Sequence, residues 1–190
     1  MRFKYILLFS GFLLFSQTAR ADFDFMGGIG IHEGGDDIVT ALFTDGTEET
    51  IQAGEFLSID LGVAWDMGFL EGRMAGGWRY DTITADNGKL NFQRFTAQAL
   101  LLAAIGNWRI GGGGTYHFEI ELDGSGVGSP ASAEFDNAIG AIAEIDYYFT
   151  PKAYIGLQYT HIEYDRTTAF GQTAQTFDAS SIGIVIAGRW

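Results

Sequence analysis

The groups with which this chain could do chemistry are three histidines and 24 carboxylates; it has no cysteine. Without thiols it forms neither disulfides nor thiolate metal sites. His32, His117 and His161 stand far apart, with no pair spaced for joint ligation, so no metal site is expected from them. Carboxylates gather in one segment. From Glu33 to Glu55 the chain carries Asp36, Asp37, Asp45, Glu48 and Glu49 with no Lys or Arg, around a short apolar stretch from Ile38 to Phe43. Hard cations take oxygen ligands, which makes this segment a candidate contact for divalent cations or for a basic extracellular partner. It lacks the ordered spacing of an EF-hand, and the plainer reading is a solvated acidic loop. Gly27-Gly28-x-Gly30 and Gly111 to Gly114 do not read as phosphate loops, because they lie inside alternating segments, where Gly permits tight curvature. No cofactor is expected.

The other charges are spread along the chain at alternating positions, and their chemistry depends on the elements that hold them. Eight segments alternate with period two, the period of a strand; apolar residues recur at i+2 and not at i+3 or i+4. Their approximate spans are 23–33, 55–67, 69–82, 92–105, 108–122, 138–149, 153–164 and 179–190. In the second, Leu57, Ile59, Leu61, Val63 and Trp65 lie opposite Ser58, Asp60, Gly62, Ala64 and Asp66. In the fifth, Trp108, Ile110, Tyr116, Phe118, Ile120 and Leu122 lie opposite Arg109, Thr115, His117, Glu119 and Glu121. The connections near Gly68, at Gly106-Asn107 and at Thr150-Pro151-Lys152 are tight. Those at 34–54, 83–91, 123–137 and 165–178 are long and rich in Gly, Asp, Ser and Thr. This alternation predicts an all-β fold: an eight-stranded antiparallel up-and-down transmembrane barrel with short periplasmic turns and four longer extracellular loops.

A soluble eight-stranded barrel also alternates, but it turns its apolar parity inward. Here the apolar parity carries aromatics toward the segment ends (Trp65, Trp78, Tyr80, Trp108, Tyr116, Phe149, Tyr159 and Trp190), as membrane-interface girdles require. The opposite parity mixes small residues with both signs of charge, which suits a narrow lumen. The expected lumen network is Asp60, Arg73, Arg94, Arg109, Glu119 and Glu144, with the three arginines neutralising some of the three acids. Charges so confined must pair, because an uncompensated buried charge costs several kcal/mol. His32 and His117 are expected inside and His161 outside.

The ends of the chain give it an address. Arg2 and Lys4 precede an apolar run from Ile6 to Phe15, and Ala19-Arg20-Ala21 fits small-x-small cleavage, so residues 1–21 are expected to be a signal peptide and 22–190 the barrel. Losing Arg2, Lys4 and Arg20 with that leader takes the formal charge from −13 to −16. Such a surface repels nucleic acid and favours cationic partners or bridging divalent ions. The final strand alternates to a terminal aromatic, Trp190.

The signal segment, the closing SIGIVIAGRW and the hairpin IDYYFTPKAYIGLQYTHIEY resemble the small outer-membrane barrels: the outer membrane protein A transmembrane domain, outer membrane protein X, and the opacity and outer-membrane-protein-W groups. The resemblance implies a Gram-negative outer membrane, contact with its lipid and lipopolysaccharide, and a terminal Trp190 read by the barrel insertion machinery. A monomer is expected. The chain also resembles the lipid A deacylases, which are eight-stranded barrels too, in carrying His161 near the outer end of a late strand. In that family a Ser lies two positions after the His; Glu163 stands there, and a carboxylate does not replace a hydroxyl activated by an adjacent base. Ser180 and Ser181 are on the next strand, with nothing in the sequence to bring either to His161. The chain is therefore not expected to be an enzyme.

The expected role is structural or interactive: envelope integrity, adhesion, or contact with ligands or ions through acidic extracellular loops, with the lumen filled and non-conducting. One alternative is a narrow pore. A passage for small apolar compounds, as proposed for the outer-membrane-protein-W group, requires an apolar upper lumen, and the inward residues look too charged for it.

Overall fold

A computed structural model of the protein describes residues 22–42, 47–85, 88–126, 132–167 and 175–190. The expected leader and Asp45 lie outside them. The strands are β1 (Asp22–Glu33), β2 (Asp37–Leu42), β3 (Glu48–Gln52), β4 (Phe56–Asp66), β5 (Leu70–Ala85), β6 (Gly88–Ile105), β7 (Trp108–Gly126), β8 (Ala133–Phe135), β9 (Ala138–Thr150), β10 (Ala153–His161), β11 (Glu163–Thr167), β12 (Thr176–Asp178) and β13 (Ser181–Arg189).

Eight of these close on themselves. β1 pairs with β4, and the ladder runs on through β5, β6, β7, β9 and β10 to β13, which pairs back with β1, every pair antiparallel. Ile29 sits between Ile59 and Ile186, so the first and last strands seal the wall. Closure satisfies each backbone amide within the wall, as a lipid setting demands. Two of the tight turns use glycine with positive φ, Gly68 at 81° and Gly106 at 59°. The run Gly111 to Gly114 has a packing cause: a Cβ on Gly111 or Gly113 would overlap the carbonyl oxygen of Leu101 or Ala99 on β6.

Outside, the wall is apolar. Phe23, Phe25, Ile31, Leu61, Phe69, Met74, Ile105 and Ile139 are all exposed. Such a surface is a membrane surface and not a water-facing one. Trp108 and Phe118 both face out on β7, ten residues apart. At about 3.3 Å per residue and a tilt of about 40°, that separation spans about 25 Å, the height of an outer-membrane apolar band.

The long-loop end holds structure that the alternating pattern does not announce. β2 and β3 form a separate hairpin where a long loop was expected, and β8, β11 and β12 extend the wall beyond β9 and β10.

Candidate functional site: the lumen and its cap

In the half of the lumen near the tight turns, strand parity brings long charged side chains from six strands together. Glu71 of β5 is fully buried and accepts from three arginines: Arg73 Nε at 2.6 Å, Arg109 Nε at 2.9 Å and Arg189 Nη1 at 3.0 Å. The Tyr148 hydroxyl also donates to it, at 3.1 Å. Arg73 reaches on to Glu144 at 2.6 Å and Asp146 at 2.7 Å. Arg189 reaches out to Asp66 at 2.8 Å and Asp24 at 2.9 Å near the rim. One level up, Arg79 Nη2 meets Asp60 Oδ1 at 2.9 Å, and Gln158 donates to Glu144 at 2.5 Å. A planar guanidinium with five donors suits this sharing of one cation among several carboxylates. The network leaves a central void of about 20 Å³ beside Met26, Asp60, Arg73 and Glu144, room for about one water molecule. That is a plug.

The other half of the lumen is of another kind. β7 bulges at Glu119, whose φ is 50°, opposite a register shift between Gln93 and Phe95 of β6. One extra residue inverts the parity beyond it, so Ile120 and Leu122 point inward. They join Ile83, Leu90, Phe92, Phe135, Ile162, Tyr164 and Phe177 in an apolar cluster, and Ile51 and Ala53 close it from above, fully buried. The hairpin of β2 and β3 is pinned over this cluster: Asp36 N donates to Asp178 O at 2.7 Å, and Asp178 N donates to the Asp36 carboxylate at 2.9 Å.

Several expected site residues fall differently. Arg73 meets Glu144, but Asp60 pairs with Arg79 and Arg109 with Glu71. Glu119, expected inside, is exposed at the bulge. Arg94 is fully buried and forms no ion pair among the described residues; the faces of Phe56 and Phe92 lie 4.4 and 4.7 Å from its Cζ. The upper lumen, expected to be too charged for apolar material, is largely apolar around Arg94: the bulge turns Ile120 and Leu122 in, and unbroken parity on the neighbouring strands brings Ile83, Leu90, Phe92, Ile162 and Tyr164 to meet them.

In the acidic segment, Asp36 holds the hairpin as described, Asp37 accepts from Gln52 at 3.0 Å, and Glu48 and Glu49 are exposed on β3. Among the described residues no three carboxylates or imidazoles converge in a way that could hold a metal ion. Trp190 lies against the wall beside Gly27, its backbone paired with Phe25.

His32 and His117 are buried and His161 is exposed. The fold does bring Ser180 to His161, Oγ to Nδ1 at 2.9 Å, a contact that alternation along the strands does not reveal. Asp178 accepts from the Ser180 amide at 2.8 Å. The Ser180 hydroxyl and amide hold the Asp178 carboxyl below the usual aspartate range. The carboxylate hydrogen-bonds the serine and meets His161 only through its charge, unlike the order in which an acid orients a base by a hydrogen bond.

A closed eight-stranded barrel, greasy outside and filled inside, defines the class of small outer-membrane barrels. No family model matches the chain, and no curated protein is similar to it. Solved structures are similar in fold. Ail, the attachment invasion locus protein of Yersinia pestis, is 9% identical with a TM-score of 0.57, covering 90% of this chain and 100% of its own. Neisserial surface protein A is 9% identical with a TM-score of 0.51 over 90% of this chain and 100% of its own. Outer membrane protein H of P. aeruginosa is 16% identical with a TM-score of 0.51, covering 88% and 99%.

Proposed function

We propose that the protein is a non-conducting, non-enzymatic barrel of the outer membrane that works through its outer surface, by contact with lipopolysaccharide and with extracellular partners. The observation that carries this reading is the doubly filled lumen, with shared ion pairs at one end and an apolar cluster under a hairpin at the other. Between the ion pairs it keeps a void of about 20 Å³ beside Met26, Asp60, Arg73 and Glu144. What remains available for recognition is the loop end.

Charge narrows the class of partner. Ail has a structure in complex with a heparin analogue, sucrose octasulfate. An acidic surface of the kind carried here repels a polyanion, so the favoured partner is cationic or bridged by divalent ions. The role of Asp36, Asp37, Asp45, Glu48 and Glu49 is to supply that negative field rather than to build a single ion cage.

Planar-bilayer recording tests the plug: the reading expects no steady single-channel steps, and large sustained steps would overturn it. Exchanging the residues between β1 and β4 for a neutral loop is expected to abolish binding of a basic protein to cells that display the barrel.

A further inference from the structure

Closure abolishes strand edges in the barrel wall, yet the cap above it keeps one. β2 and β3 form a two-stranded sheet of their own, and β12 ends the larger sheet. Among the described residues β3 is the one strand that β2 lies alongside, and β12 in turn lies alongside β11. The two free edges meet at a single point. Asp36 N donates to Asp178 O at 2.7 Å, but the Asp36 carbonyl accepts from Ala53 N, and its carboxylate receives Asp178 N instead. No backbone hydrogen bond joins β2 to Thr176 or Phe177 among the described residues. A pairing is begun and not continued.

An edge strand offers alternate N–H and C=O groups to any extended chain, and proteins often blunt such edges with lysine or proline. β2, with the sequence DIVTAL, has neither. From Val39 to Leu42 its register with β3 is unbroken. Val39 and Ala41 lean on the apolar cluster, whereas Thr40 and Leu42 are exposed. A strand added at this edge would therefore have one apolar side and one wet side.

Charge decides between the candidate occupants. Asp37, Glu48 and Glu49 on the hairpin and Glu163, Asp165 and Asp178 on β11 and β12 are all exposed, and none forms an ion pair among the described residues. Glu163 and Asp178 stand directly opposite each other. Arg166 is the one basic residue on these four strands. A second copy of this chain would bring the same acids to the same edge, where like charges repel. A basic segment would be attracted from both flanks.

We infer that β2 is the docking edge for an extended basic segment of an extracellular protein, which adds to the hairpin as a third strand. Main-chain hydrogen bonds to β2 hold it. Its apolar side chains lie beside Val39 and Ala41, and its lysines or arginines face the carboxylates. The inference rests on the proposed contact with a cationic partner, and adds the place and the conformation.

The test uses the whole protein refolded in micelles of an uncharged detergent, with an eight-residue peptide alternating lysine and valine as the probe. The peptide is expected to bind, and alternate amides between Asp37 and Leu42 are expected to gain protection from hydrogen exchange. A peptide alternating glutamate and valine is expected not to bind; equal binding would overturn the role of charge. Methylating the valine amides, or in a second peptide the lysine amides, blocks one edge of the probe at a time. One of the two is expected to bind at least about tenfold more weakly, since each main-chain hydrogen bond removed weakens binding several-fold. Undiminished binding of both, with no protection of β2, would overturn strand addition and leave the cationic partner standing. Glu48→Gln combined with Glu49→Gln is expected to weaken the lysine peptide several-fold without moving the melting temperature, and an unchanged affinity would overturn the placement on the hairpin. If a basic folded protein binds while the lysine peptide does not, the docking edge fails alone; if neither binds, the cationic partner fails with it.

Discussion

Replacing Glu71 with Gln tests whether the lower lumen is held by shared charge. Glu71 receives three guanidinium groups and one phenol, all within 3.1 Å. The substitution keeps the shape and removes the charge. Arg73 retains Glu144 and Asp146, and Arg189 retains Asp24 and Asp66. Arg109 is left with the carbonyls of Gly106 and Trp108 and the face of Tyr148. Breaking a buried pair by removing one partner costs about 3–5 kcal/mol, and the two rescued arginines put this case near the lower end, about 3 kcal/mol. Urea unfolding of the protein refolded into lipid vesicles, followed by tryptophan emission, measures the loss. Asp24→Asn is the control, since the Asp24 side chain is 33% exposed and a rim pair of that kind is worth about 0–1 kcal/mol. A loss below about 1 kcal/mol for Glu71→Gln would refute the view that this carboxylate organises the plug.

Ile51→Ala removes a fully buried side chain where the hairpin meets the apolar cluster. The expected cost is about 2–5 kcal/mol, read as faster protease cleavage between β2 and β3 in the folded barrel. Asp178 gives a dependence on pH. Its depressed folded pKa means its hydrogen bonds to Ser180 add stability above the ordinary aspartate range, about pH 4, and lose it as pH falls through the lower folded value. Exchange of the Ser180 amide is expected to quicken on acidification in the natural protein and to show no such step in Asp178→Asn.

The wall was legible because a barrel in lipid imposes period two on every strand. Segments read as 55–67 and 108–122 are observed as Phe56–Asp66 and Trp108–Gly126, with the expected faces outward up to the bulge. What alternation could not report is where it fails. A single residue with positive φ at Glu119 reverses all that follows on β7, and nothing in the composition of HFEIEL marks the reversal in advance. Unbroken alternation therefore places Glu119 and Glu121 inside. The hairpin of β2 and β3 was hidden by its own charge: Asp37, Glu48 and Glu49 read as solvent-loving, while Ile51 and Ala53 just beyond them anchor the cap. Pairing within the lumen was foreseeable in kind but not in detail. Parity says who shares the interior, whereas strand stagger decides that Asp60 meets Arg79, and that choice is a tertiary one.

Because β7 changes face halfway along, the two ends of this barrel answer to different forces. Apolar packing weakens on cooling, whereas ion pairs enclosed by protein are little screened by salt. In a cold environment the mouth would therefore slacken, and in brine the floor would keep its pairs.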